Sequence, residues 1–122
     1  MENYCNIISQ VANKIKSIIG NDIISIAFHG SRARGDHRPD SDYDFFAIVE
    51  NKTKKETYEK ARTIINKDSE ISIHIHFATK EELAKCENFI QLQSVKEGKI
   101  LYDKNDFLKN RLDEIPSIPI TR

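Results

Sequence analysis

The sequence predicts an α/β (α+β) fold: a small mixed β-sheet of about three to five strands backed by helices. Three observations carry this. Two short apolar runs, 23–28 and 42–49, flank a charged loop that holds two glycines and a proline. Amphipathic stretches at helical spacing come before and after them. A third run, 71–77, alternates apolar and polar residues without a break, the mark of a half-buried strand.

The elements follow in order. Over residues 3–19, Tyr4, Ile7, Ile8, Val11, Ile15, Ile18 and Ile19 recur every three or four positions, which predicts a helix ending at Gly20. Ile23 to Phe28 ends at a polar turn and reads as a buried strand. Residues 29–41 form an exposed loop, with one helical turn over Ser31–Arg34. Asp42 to Val49 is the second strand. Thr53 caps a helix that runs to Asn66, with Glu56 three residues on. In the strand 71–77, Ile71, Ile73, Ile75 and Phe77 share one face, and Ser72, His74 and His76 the other. Thr79-Lys80-Glu81-Glu82 is a capping box, and its helix runs to Glu97 with a break near Glu87–Asn88. Gly98 stops it. Lys99–Tyr102 reads as an edge strand, 106–114 as a last helix, and the Pro-containing tail 115–122 as extended. The order places the helices on one face of the sheet.

The 122 residues suffice for one packed core, so 1–122 is read as a single domain, with its core at about 3–103 and an appended helix and tail at 104–122. Nineteen basic residues balance nineteen acidic ones, and a zero net charge gives no bulk attraction to nucleic acid or an anionic membrane. No apolar run approaches the roughly 18 residues that span a bilayer. The N-terminus lacks the basic start of a secretory signal. Cys5 and Cys86 lack metal-ligand spacing and read as buried thiols in a reducing cytoplasm.

The chemistry concentrates in the loop. Gly30 lets the backbone bend sharply and approach a ligand, and Ser31 adds a hydroxyl beside successive N–H groups, a phosphate-binding arrangement. Ten residues separate Ser31 from Asp42, and Asp44 follows one residue later. In a strand, residues two apart project from the same face ~6.5–7 Å apart. Asp42 and Asp44 therefore form a pair of hard oxygen ligands suited to Mg²⁺. Two acids directly before Phe45 and Phe46 cost stability unless a cation compensates. Arg32 and Arg34 are candidate phosphate clamps, Arg32 the better one. Asp36 and His37 read as loop surface.

Gly30-Ser31, ten intervening residues and Asp42-Tyr43-Asp44 resemble the signature of the minimal (MNT-like) nucleotidyltransferases of the DNA polymerase β superfamily. Arg32-Ala33-Arg34-Gly35 matches the usual filling of that loop, and the likeness extends from about residue 22 to 103. It implies a polymerase-β-like fold and transfer of a nucleoside monophosphate from a nucleoside triphosphate, ATP first, to an acceptor hydroxyl, with release of pyrophosphate. Gly30 and Ser31 would hold the triphosphate, and Asp42 and Asp44 two Mg²⁺ ions, for which Mn²⁺ could stand in.

The family places a third carboxylate five residues before the threonine that matches Thr79, where this chain has His74. Histidine adds no negative charge and prefers softer ions, yet it can act as a general base near neutral pH. Either His74 serves the site, or the chain is a catalytically impaired module that binds a nucleotide or a partner protein. Glu70 could substitute only in another register. Small members of the family resemble halves of two-component systems and pair with a helical HEPN-type protein, some as antitoxins that nucleotidylate the toxin. The resemblance therefore implies a protein acceptor over an antibiotic, whose enzymes usually carry an added helical domain. The edge at Lys99–Tyr102 offers a surface for a second copy.

Overall fold

The structure, a computed structural model, describes residues 4–36, 38–50, 55–67, 71–85 and 89–114. The elements are α1 (Tyr4–Ile19), β1 (Ile23–His29), α2 (Ser31–Arg34), β2 (Tyr43–Val49), α3 (Lys55–Lys67), β3 (Ile73–Thr79), α4 (Lys80–Ala84), α5 (Phe89–Lys96), β4 (Lys99–Asp103) and α6 (Phe107–Glu114). The four strands form one mixed sheet in the order β3-β2-β1-β4. β1 runs antiparallel to β2 and β4, whereas β2 and β3 are parallel. The connection through α3 allows that parallel pair, because parallel strands need a crossover longer than a hairpin.

Helices cover both faces of the sheet, not the one face that the element order suggested. Every residue of β1 is buried, as are all of β2 except Asp44, so both faces of the central strands need an apolar cover. Ile26, Phe28, Phe45, Ala47, Ile73 and Ile75 pack with Val11 and Ile15 of α1 and Ala61 and Ile65 of α3. Ala27, Phe46, Ile48 and Ala78 pack with Leu83 of α4, Leu92 and Val95 of α5 and Leu108 and Leu112 of α6. Phe28 and Phe45 meet at 5.3 Å between ring centroids, within the range where aromatic contacts add to burial.

Small boundary shifts have visible causes. β3 starts at Ile73, two residues later than its alternation suggested; its pairing with β2 begins at Tyr43 and Ile73, where the Tyr43 N–H donates to the Ser72 carbonyl. It ends at Thr79, which also caps α4: its hydroxyl accepts from the Glu82 N–H at 3.0 Å and its own N–H donates to the Glu82 carboxylate at 2.7 Å. That is the capping box read from the sequence. The Thr53 cap, the break at Glu87–Asn88, Glu70, His37, Cys86 and the tail 115–122 lie outside the described residues.

The two sheet edges differ. On β3, the Asn66 side chain of α3 donates to the Ile73 carbonyl and accepts from the Ile73 N–H, each at 2.9 Å, and Arg62 Nε donates to the Ile75 carbonyl at 3.1 Å. β4 forms the other edge. It ends at Asp103, whose carboxylate accepts from Ser25 Oγ at 2.5 Å and from the N–H groups of Leu108 and Lys109 at 2.8 and 2.9 Å. Asp103 thereby fixes the turn into α6, where Asn105 and Asp106 both take left-handed backbone angles.

Candidate active site

The turn between β1 and α2 brings Gly30 against Asp44. Gly30 has φ +88° and ψ −166°, a conformation open essentially to glycine alone. A Cβ there would collide with the carboxylate of Asp44. The first acid-bearing turn of β2 thus lies directly beneath the bend, and Ser31 opens α2 one residue on. In the sheet ladder Asp44 stands opposite His29 on one side and His74 on the other. His74 Nδ1 lies 3.5 Å from Asp44 Oδ1.

The electrostatics follow from burial. Asp44, with its side chain 28% exposed, has its carboxyl pushed above the usual carboxylate range, chiefly by desolvation. The neighbouring Asp42 charge raises it further, while His74 and Arg34 pull it down. This is the pattern of an acid short of compensating positive charge. Asp42 itself is exposed and precedes β2. Its charge acts on Asp44, while Tyr43 between them is buried in the core.

His29, at the end of β1, is buried; its Nδ1 pairs with Ser94 Oγ of α5 at 3.0 Å. Burial first, then the positive fields of His76, His74 and Arg34, lower its pKa to about 4, so it is a neutral imidazole at pH 7. Its Nε2 is buried and makes no hydrogen bond among the described residues. Phe46 connects it edge-on at 6.3 Å to His76, which stacks on the same ring at 5.5 Å. His76 therefore lines the sheet, whereas His74 stays exposed beside Asp44. The 23–28 apolar run hid His29. Its position directly before Gly30, two residues after the inward Ala27, was the available signal.

Arg32 makes contacts that its sequence context did not suggest. Its Nε donates to the Ser41 carbonyl at 2.9 Å and its Nη2 to the Pro39 carbonyl at 3.0 Å. The guanidinium lies 4.3 Å from the centroid of the Tyr43 ring, with Nη1 3.5 Å from the hydroxyl. Arg34 reaches Asp36 at 3.3 Å and Glu97 at 3.9 Å.

Among the described residues no three carboxylate, imidazole or thiol groups gather as a ready metal cage. The donor set still suits Mg²⁺. Two neighbouring carboxylates offer hard oxygen ligands, and Mg²⁺ commonly completes its shell with water and substrate phosphates rather than with protein. The desolvated Asp44 is the kind of group such a cation stabilises.

Comparison with known proteins agrees with the geometry. Residues 13–107 match the family model "Polymerase beta, Nucleotidyltransferase". A search of curated proteins finds no match. Among solved structures, the fold resembles spectinomycin adenyltransferase AAD(9) from Enterococcus faecialis, solved with ATP and spectinomycin, at TM-score 0.72 and 19% identity, over 93% of this chain. The match covers 61% of that longer enzyme. It also resembles a chain of the MntA-HpeT toxin-antitoxin (TM-score 0.67, 9% identity, 87% of this chain and 81% of that one). A toxin-antitoxin solved with AMP-PNP matches at TM-score 0.61 and 15% identity, over 84% of this chain and 81% of that one. The family match spans most of the sequence, and the chain belongs to the polymerase β nucleotidyltransferase family.

Proposed function

We propose that the chain transfers a nucleoside monophosphate, from ATP first among the triphosphates, to a hydroxyl on a protein partner and releases pyrophosphate. The observation that carries this reading is the seating of the Asp44 carboxylate against the Gly30 backbone, which unites the two halves of the motif in one place. Gly30 and Ser31 hold triphosphate oxygens through backbone N–H groups and the hydroxyl. Asp42 and Asp44 would hold two Mg²⁺ ions, with Mn²⁺ a workable substitute. Bound there, the ions would neutralise charge on the α-phosphate of the nucleotidyl group and on the departing pyrophosphate. His74 directs Nδ1–H toward Asp44, which leaves the Nε2 lone pair to take the proton of the acceptor hydroxyl. The acceptor oxygen bonds to the α-phosphorus as the bond to the β-phosphate oxygen breaks.

The toxin-antitoxin structures among its structural neighbours support a two-component setting, with a HEPN-type helical protein as partner. The adenyltransferase neighbour makes an antibiotic hydroxyl the competing acceptor. No helix among the described residues is long and apolar enough to cross a membrane. The β4 edge is the surface on which a second copy would dock.

A second reading rests on His74, which stands where the family carries an acid. The chain would then bind nucleotide or partner without transfer. Incubation with labelled ATP, Mg²⁺ or Mn²⁺ and host lysate separates the two readings. Label on a macromolecule that disappears in the Asp42→Asn and Asp44→Asn variants supports the enzyme. Nucleotide binding with no transfer under either metal supports the module.

A further inference from the structure

We infer that Arg32 is a positioning residue that locks Asp42 in register with the glycine-serine turn, and not a ligand of the triphosphate. The inference rests on the nucleotidyltransferase reading above. Arg32 belongs to α2, the element that Gly30 and Ser31 open. Its guanidinium reaches across the loop to the carbonyls of Pro39 and Ser41 and stacks on Tyr43. Those contacts bracket Asp42 from both sides in sequence.

The rest of the loop is built to match. Ser41 Oγ accepts from the Arg38 N–H at 2.9 Å, and the Ser41 N–H donates to the Arg38 carbonyl at 3.0 Å, which closes a tight turn. The Tyr43 ring is buried against Phe28 at 6.0 Å, and its N–H is held by Ser72. Arg32 therefore ties a turn with its own internal bonds to a ring fixed in the core. Asp42 is exposed and stands ahead of the ladder, so its placement depends on this tether more than that of Asp44 does.

The chemistry explains why arginine stands there. Two of its N–H groups satisfy two carbonyls in a fixed fork while the flat face stacks on the phenol ring, a combination lysine cannot reproduce. A donor set directed to backbone carbonyls is also turned away from phosphate oxygens. Supporting groups of this kind typically change metal affinity by about 10–100-fold when removed.

The test compares wild type with Arg32→Lys and Arg32→Gln, reading Mn²⁺–ATP binding by calorimetry and amide exchange of residues 38–43 by NMR. Positioning predicts that both variants lose ~10-fold or more in Mn²⁺–ATP affinity to a similar extent and both speed exchange at Ser41 and Tyr43. A direct phosphate contact predicts the opposite: Arg32→Lys keeps most of the affinity, Arg32→Gln loses it, and exchange is unchanged. That result overturns the inference. If wild type itself binds no Mn²⁺–ATP, the nucleotidyltransferase reading fails, and amide exchange alone decides the role of Arg32. Unchanged exchange in both variants then overturns it.

Discussion

Gly30 and Asp44 occupy adjoining space so tightly that even a methyl group on the glycine would overlap the carboxylate. Gly30→Ala therefore meets two penalties, that collision and a φ of +88°. The backbone strain alone is worth about 1–3 kcal/mol. The variant is expected to fold with a lowered melting temperature and to lose nucleotide binding by ~100-fold or more in titration calorimetry. Unchanged nucleotide affinity would show that the bend plays no part in binding.

Asp44 is held in a desolvated position without a full countercharge, so its ionised form costs stability in the metal-free protein. Its raised pKa means that this cost is present above the folded-state pKa and is relieved as the pH falls through it. Asp44→Asn should accordingly match or exceed the wild-type melting temperature at pH 7 without metal. It should also lose the stabilisation that Mn²⁺–ATP gives the wild type. Thermal melts with and without the ligand check both outcomes.

His29 gives a pH dependence of definite sign. Its pKa falls from the ordinary 6.5 to about 4 on folding, so the unfolded chain takes up a proton that the folded one refuses. The stability contributed by the neutral imidazole is complete above pH 6.5, declines as the pH drops toward 4, and changes no further below that. The loss is at most about 3 kcal/mol. Urea unfolding at pH 7 and 4.5 should show a smaller acid loss for His29→Gln than for wild type. An equal loss in both would mean that other groups set the acid limit.

His74 is exposed and paired with Asp44 only at 3.5 Å, so its replacement should leave the fold untouched. As a general base, His74→Ala should lower transfer by ~100-fold, within the usual range for such groups. His74→Asp should restore the family pattern. A gain of activity there over wild type would identify the natural chain as impaired, and unchanged turnover in His74→Ala would remove the imidazole from the mechanism.

Asp103 accepts three hydrogen bonds and holds two residues in left-handed backbone. Asp103→Ala strands the Ser25 hydroxyl, which is buried, and uncaps α6. A loss of about 2–4 kcal/mol in chemical denaturation is expected, with little effect on nucleotide binding at the far end of β1.

Much of this architecture was legible because local rules and tertiary demands coincide. The alternation around Ile73 and Ile75, the Thr79 capping box and the spacing of Gly30 from Asp44 each specify one geometry. The second helical layer was not apparent from the order of elements. It follows from the apolar character of both faces of β1 and β2, where Ala27, Phe46 and Ile48 demand a cover as much as Phe28 and Phe45 do. Arg32 reads from its position as a phosphate clamp, and its contacts with the Pro39 and Ser41 carbonyls were not legible there, since a guanidinium serves carbonyls and phosphates equally well. His29 reads as loop because it ends a strand beside a glycine, and its burial depends on α5, where Ser94 meets its ring.

The side chains of Asn66 and Arg62 already fill hydrogen-bonding positions that an incoming fifth strand would use along β3. Strand addition along this margin would first have to displace both side chains, so the β3 edge is guarded against open-ended growth of the sheet.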